Sequence, residues 1–113
     1  MRVLGALLAI ATLSLASEVS HFPLVSVAEA QSFNCRYAKT ADEVLICQSP
    51  GLAALDEQMS SLYFRLKTRL YGSALAQLES TNSYWLSRRM SCGRNAYCIE
   101  QNYNAWIADL ASF

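Results

Sequence analysis

The sequence predicts an all-α fold: a small disulfide-linked helical hairpin bundle of three to four helices that follows a signal peptide. Three observations carry this expectation. Apolar residues recur at helical spacing through the second half of the chain, helix-start and helix-stop residues punctuate them at short intervals, and no stretch alternates apolar with polar residues as a strand would. Four cysteines fall into two close pairs, Cys35 with Cys47 and Cys92 with Cys98. Such pairs close in an oxidising compartment, and a short chain gains stability from each clip because its own core is small. Three connectivities are possible, and the short spacings favour Cys35–Cys47 and Cys92–Cys98.

The export signal is read from the start of the chain. Met1-Arg2 is basic, and Val3 to Ala16 forms an uncharged apolar run too short to remain across a bilayer. Ala28-Glu29-Ala30 places small residues where a signal peptidase requires them, so cleavage is expected before Gln31, with a cut after Ala16 as the alternative. The first cysteine lies far beyond the apolar run and is preceded by Asn34 where a lipoprotein signal needs a small residue, so no stable membrane anchor is expected. Residues 1–30 are thus the signal peptide and 31–113 one exported domain, periplasmic or secreted.

Each helix has its own justification. Thr40-Ala41-Asp42-Glu43 is a capping box that opens a short helix reaching about Gln48. Ser49-Pro50 opens a second, with serine as cap and proline at the first position, where its missing N–H costs nothing. That helix is expected to run to about Tyr71 and to be closed by Gly72. Leu52, Leu55, Met59, Leu62, Tyr63, Leu66 and Leu70 share one face of it. A third helix, from about Ala74 to Ser91, carries Leu75, Leu78, Trp85 and Leu86 on one side. Gly93-Arg94-Asn95 breaks it, and a last helix from about Ala96 carries Ile99, Tyr103, Trp106, Ile107 and Leu110.

Composition excludes several functions. The one histidine, His21, lies in the signal peptide, so the mature domain has no imidazole for general-base catalysis, a nucleophile triad or zinc. No glycine-rich nucleotide loop is present, and neither cysteine pair has the tight CxxC spacing of most zinc sites. Neither a catalytic centre nor a cofactor is expected. With Arg2, Glu18 and Glu29 removed, eight basic residues face seven acidic ones. That balance gives nucleic acid no general attraction.

Further residues match a known pattern. Ser32-Phe33-Asn34-Cys35, Ala38-Lys39-Thr40, Glu43, Ile46-Cys47, Leu52-Ala53-Ala54-Leu55-Asp56 and Tyr63, continued by Trp85-Leu86, Arg89, Cys92-Gly93, Cys98, Tyr103, Ile107 and Leu110, resemble the DUF1311 domain, also called the lysozyme inhibitor LprI N-terminal domain. The chain departs from that pattern at Asn34, Asn82, Met90 and Trp106. The resemblance implies a helical, disulfide-linked exported domain, and it supplies lysozyme as a candidate protein partner, bound stoichiometrically by occlusion of its cleft. The alternative is a structural or assembly module of the cell envelope that binds another exported protein.

Individual residues sharpen these readings. Arg89 and Asn82 fall inside the apolar arc of the third helix, so the guanidinium needs a buried acid; Asp56 is the first choice and Glu43 the second. Phe64 and Tyr71, with Lys67 alongside, lie away from the leucines of the second helix and form either a partner surface or a face that another helix covers. Arg88, Arg94 and Asn95 lie in or beside the Cys92–Cys98 loop, whose rigidity suits entry into a concave cleft, the plain alternative being a helix connection that needs a clip. The adjacent acids Asp42-Glu43 and Asp56-Glu57 are explained by capping and the helix dipole.

Overall fold

The computed structural model describes residues 32–113, so the expected signal peptide and both candidate cleavage points lie outside the described residues. A 3-10 turn, Cys35–Tyr37, precedes four helices: α1 (Ala41–Gln48), α2 (Pro50–Lys67), α3 (Gly72–Ser91) and α4 (Ala96–Leu110). Among the described residues there is no strand, and no helix is long and apolar enough to cross a membrane.

Side chains engage backbone N–H groups at three of the four helix starts, while α3, with Tyr71 as its N-cap, has no side-chain cap. At α1, Glu43 Oε1 accepts from the N–H groups of Lys39 at 2.9 Å and Thr40 at 3.3 Å, the carboxylate half of the capping box. At α2, Ser49 Oγ accepts from Leu52 N–H at 3.3 Å, with Pro50 in the first turn. At α4, Asn95 Oδ1 accepts from Cys98 N–H at 3.0 Å.

The end of α2 differs from the expectation. The helix stops at Lys67, not near Tyr71: Thr68 is its C-cap, with its hydroxyl donating to the carbonyl of Arg65 at 2.8 Å, and the N–H groups of Arg69 and Leu70 both close on Leu66. Gly72 does not close α2 but opens α3, with φ +64°, a left-handed conformation that glycine adopts without a Cβ clash. Tyr71 therefore stands in the connection, 84% exposed, and not on the helix.

The largest helix interface joins α2 to α4, with α1 on α2 and α3 on α4. Leu52, Met59 and Leu66 of α2 meet Ile99, Tyr103, Trp106 and Leu110 of α4, with Ile46 and Leu78 completing the core. The rings of Tyr103 and Trp106 stack 5.8 Å apart and nearly parallel, at 4°. Polar ties fix α3 on α4: Trp85 Nε1 donates to Asp109 Oδ2 at 2.7 Å, and Asn102 Nδ2 donates to the Trp85 carbonyl at 3.1 Å. Leu86, expected in the core face of α3, is instead 37% exposed, because the space it faces is left open as a cavity.

Both cysteine pairs are closed, Cys35–Cys47 with Cα atoms 5.9 Å apart and Cys92–Cys98 with 5.5 Å. The first ties the 3-10 turn to the end of α1, and the second spans the α3–α4 connection, where Gly93 takes φ +59°. Closing such short loops contributes roughly 2–3 kcal/mol each, against the ~3–5 kcal/mol a core of this size supplies. Non-reduced peptide mapping should recover these two links, and reduction should lower Tm by well over 10 °C, since about 1 kcal/mol moves Tm by roughly 4–8 °C in a domain this small. A melting curve indifferent to reductant would remove the disulfides from the stability argument.

Candidate functional site

Arg89 is the polar centre of the molecule. It projects from α3 into the interior, 1% exposed, and each of the other three helices brings a group to it. Its Nε donates to Asp42 Oδ2 of α1 at 2.7 Å, and its Nη1 donates to the Tyr103 hydroxyl of α4 at 3.4 Å. That hydroxyl donates onward to Asp56 Oδ1 of α2 at 2.7 Å. Two further carboxylate oxygens stand at 3.8 Å, Glu43 Oε2 from Nη2 and Asp56 Oδ1 from Nη1. Asp42, read from the sequence as a helix-start acid, is thus the nearest partner, and Asp56 and Glu43 form a second rank. The phenol ring of Tyr103, read only as core, carries the link between Arg89 and Asp56.

The segment ahead of α1 completes the network. Ser32 gives Asp56 two hydrogen bonds, from its N–H to Oδ2 and from its hydroxyl to Oδ1, each 2.7 Å, and the guanidinium of Arg89 lies over the Phe33 ring at 5.1 Å. Cation and ring attract through the ring quadrupole. Three carboxylates around one guanidinium leave an excess of negative charge, which hydrogen bonds from Ser32 and the N-terminal end of α1 moderate.

These contacts shift the titrating groups. Burial pushes Glu43 upward, but the N–H groups of Lys39 and Thr40, the Thr40 side chain and the charge of Arg89 together outweigh it and hold the carboxyl below its ordinary value. Burial pulls the Arg89 guanidinium down, and the Tyr103 oxygen and Asp42 more than reverse this. The Tyr103 phenol is pushed far above its ordinary value by burial and then by the Asp56 charge, against the opposing pull of Arg89.

The surface residues singled out from the sequence fall into two regions. Arg88 lies over the rings of Tyr84 at 5.6 Å and Trp85 at 6.0 Å, and with exposed Tyr97 it borders a shallow depression floored by Cys92 and Cys98. Arg94 and Asn95 are exposed in the clipped connection beside it, although the Asn95 side-chain oxygen is committed to capping α4. Tyr84 and Tyr97, absent from the sequence-based set, belong to this region. Elsewhere, Phe64 is 53% exposed and meets Tyr63 edge-on with ring centres 5.3 Å apart, while Lys67 lies over Tyr63 at 5.7 Å.

No family profile and no solved structure matches the chain. Among curated proteins it is similar to Lipoprotein LprI of Mycobacterium bovis and of Mycobacterium tuberculosis, 26% identical over 114 residues, a span of 98% of this chain and 56% of the relative. The likeness to LprI runs over almost the whole chain, which spans about half the length of the curated relatives it matches.

The network makes two predictions. Arg89→Ala leaves buried carboxylates unpaired and should cost about 3–5 kcal/mol, seen as a lowered denaturation midpoint with unchanged slope. The second concerns alkali. Because the folded-state pKa of Tyr103 is raised above the unfolded value of 10.0, its contribution is complete below pH 10 and is lost as pH rises through the folded value. Stability should therefore fall above about pH 10, and Tyr103→Phe should flatten that fall; an unchanged alkaline slope would place the cause elsewhere.

Proposed function

We propose that this chain is an exported protein-binding domain, without enzymatic activity, that inhibits a lysozyme by inserting the Cys92–Cys98 connection into its cleft. The observation that carries this reading is the clipped turn itself: a disulfide and a capped helix start hold Arg94 outward, with Arg88, Tyr84 and Tyr97 exposed nearby. A rigid turn loses little entropy on docking, and aromatic and arginine side chains concentrate binding energy. Lysozyme's cleft holds two carboxylates, which an inserted arginine complements. The resemblance to the lysozyme inhibitor LprI N-terminal domain supplies the partner, and the likeness to LprI proteins supports that class. Two disulfides and relatives named as lipoproteins support export.

A second reading rests on the exposed Phe64 and Tyr71, 53% and 84% accessible, which suit an envelope module gripping another exported protein. Kinetics with the oxidised domain separate the two. Arg94→Ala should weaken inhibition at least tenfold, about 1.4 kcal/mol, with Tm unchanged. If the wild-type domain at micromolar concentration leaves cell-wall hydrolysis unaffected, lysozyme is not the partner, and Phe64 and Tyr71 become the residues to mutate.

A further inference from the structure

The depression floored by Cys92 and Cys98 has a volume of about 420 Å³ and is open to solvent, so a small molecule can reach the disulfide. Trp85, Arg88, Tyr97 and Gln101 line it as well, and Arg88 is the one charged side chain in that lining. Glu100 lines the adjoining groove against the start of α2 instead. The Arg88 guanidinium rests on the rings of Tyr84 and Trp85 and makes no ion pair among the described residues, where the ion pairs all belong to Arg89. A disulfide beside a cation with no acidic partner is placed to meet the nucleophile that cleaves it, a thiolate anion.

The helices distinguish the two sulfurs. Cys92 is the C-cap of α3, at the negative end of that helix, where a thiolate is disfavoured. Cys98 lies in the first turn of α4, at the positive end, where a thiolate is favoured. In exchange, the sulfur that carries the charge more readily leaves faster. Attack therefore falls on Cys92 and expels Cys98. The other disulfide has no such start: Cys47 lies in the last turn of α1, and Cys35, although Arg36 follows it, belongs to a 3-10 turn of three residues.

We propose that this depression is a thiol–disulfide exchange site at which a small, negatively charged thiol modifies Cys92. The incoming thiolate gives its electron pair to a new S–S bond with Cys92 Sγ. The Cys92–Cys98 bond breaks, and its pair leaves on Cys98 as a thiolate. The products are a mixed disulfide on Cys92 and a free Cys98, with no net oxidant or reductant consumed. The exchange opens the clip on the α3–α4 connection and frees the turn that carries Arg94. A resulting loss of lysozyme inhibition rests on the docking reading above; the exchange site itself does not.

The test treats the oxidised domain with 2-mercaptoethanesulfonate or with cysteamine at equal thiolate concentration, quenches with iodoacetamide and maps the products by mass spectrometry. The sulfonate adduct should appear on Cys92, with Cys98 alkylated, roughly tenfold faster than any adduct on Cys35 or Cys47. It should also form roughly threefold faster than the cysteamine adduct, because Arg88 attracts the anion and repels the ammonium. Arg88→Gln should remove that preference with Tm unchanged, since the side chain is exposed. Trypsin should cut after Arg94 roughly tenfold faster in the modified domain than in the oxidised one, because opening of the locally closed turn limits cleavage. These readouts use no lysozyme, so a domain that fails to inhibit still tests the site. The proposal is overturned if Cys35–Cys47 opens first or at an equal rate, if the adduct sits on Cys98, if the two thiols react alike, or if cleavage after Arg94 is unchanged.

Discussion

Arg89 carries a positive charge into the interior of a domain whose core is only a few side chains deep, and the rest of the molecule is arranged around the consequence. Removing a guanidinium from water costs several kcal/mol unless its donors are met, and here the partners come from the three other helices: Asp42 and Glu43 from α1, Asp56 from α2, Tyr103 from α4. Apolar packing alone tolerates sliding and rotation of one helix on another, because leucines and isoleucines substitute for each other's positions at little cost. A guanidinium held at 2.7 Å by one carboxylate does not. The network therefore acts on which arrangement of the four helices is native as well as on how stable the folded state is.

The disulfides act on the same problem from the ends of the helices. Cys35–Cys47 ties the segment ahead of α1, from which Ser32 and Phe33 reach the network, to the end of α1, and Cys92–Cys98 fixes the direction in which α4 leaves α3. A clipped connection at one end and a charge cluster in the interior leave the surface beside the disulfide rigid, which is the property that the proposed docking role uses. The cavity beside Arg89 is the part of the interior that these constraints leave unfilled, and Leu86 and Asn82 border it.

Helix number, the faces of α2 and α4 and the starts of α1, α2 and α4 were legible in the sequence because they depend on neighbours three to seven residues away. Ser49-Pro50 and the Glu43 capping interaction are local chemistry, and the faces of α2 and α4 follow from period alone. The partner of Arg89 was harder to read for a physical reason. An acid at position 42 is fully accounted for by the helix dipole, so nothing local indicates that its side chain turns inward to meet a residue 47 positions away. Gly72 is a similar case: a glycine after a basic helix end looks like a stop, while α2 has already ended at Lys67 and the positive φ of Gly72 serves the start of α3. Leu86 has the spacing of a core residue, and only the cavity, a property of three helices together, leaves it exposed.

The dependence of the bundle on one buried ion pair is most directly measured by a double-mutant cycle on Asp42 and Arg89, with Asp42→Asn, Arg89→Gln and the double variant compared by denaturant unfolding. Groups in direct contact within one network couple by about 0.5–3 kcal/mol, so the double variant should be more stable than the sum of the single losses allows, by an amount in the upper part of that range. Additive losses, with coupling indistinguishable from zero, would contradict a bundle whose register is set by this pair and leave the apolar faces and disulfides as its sole determinants.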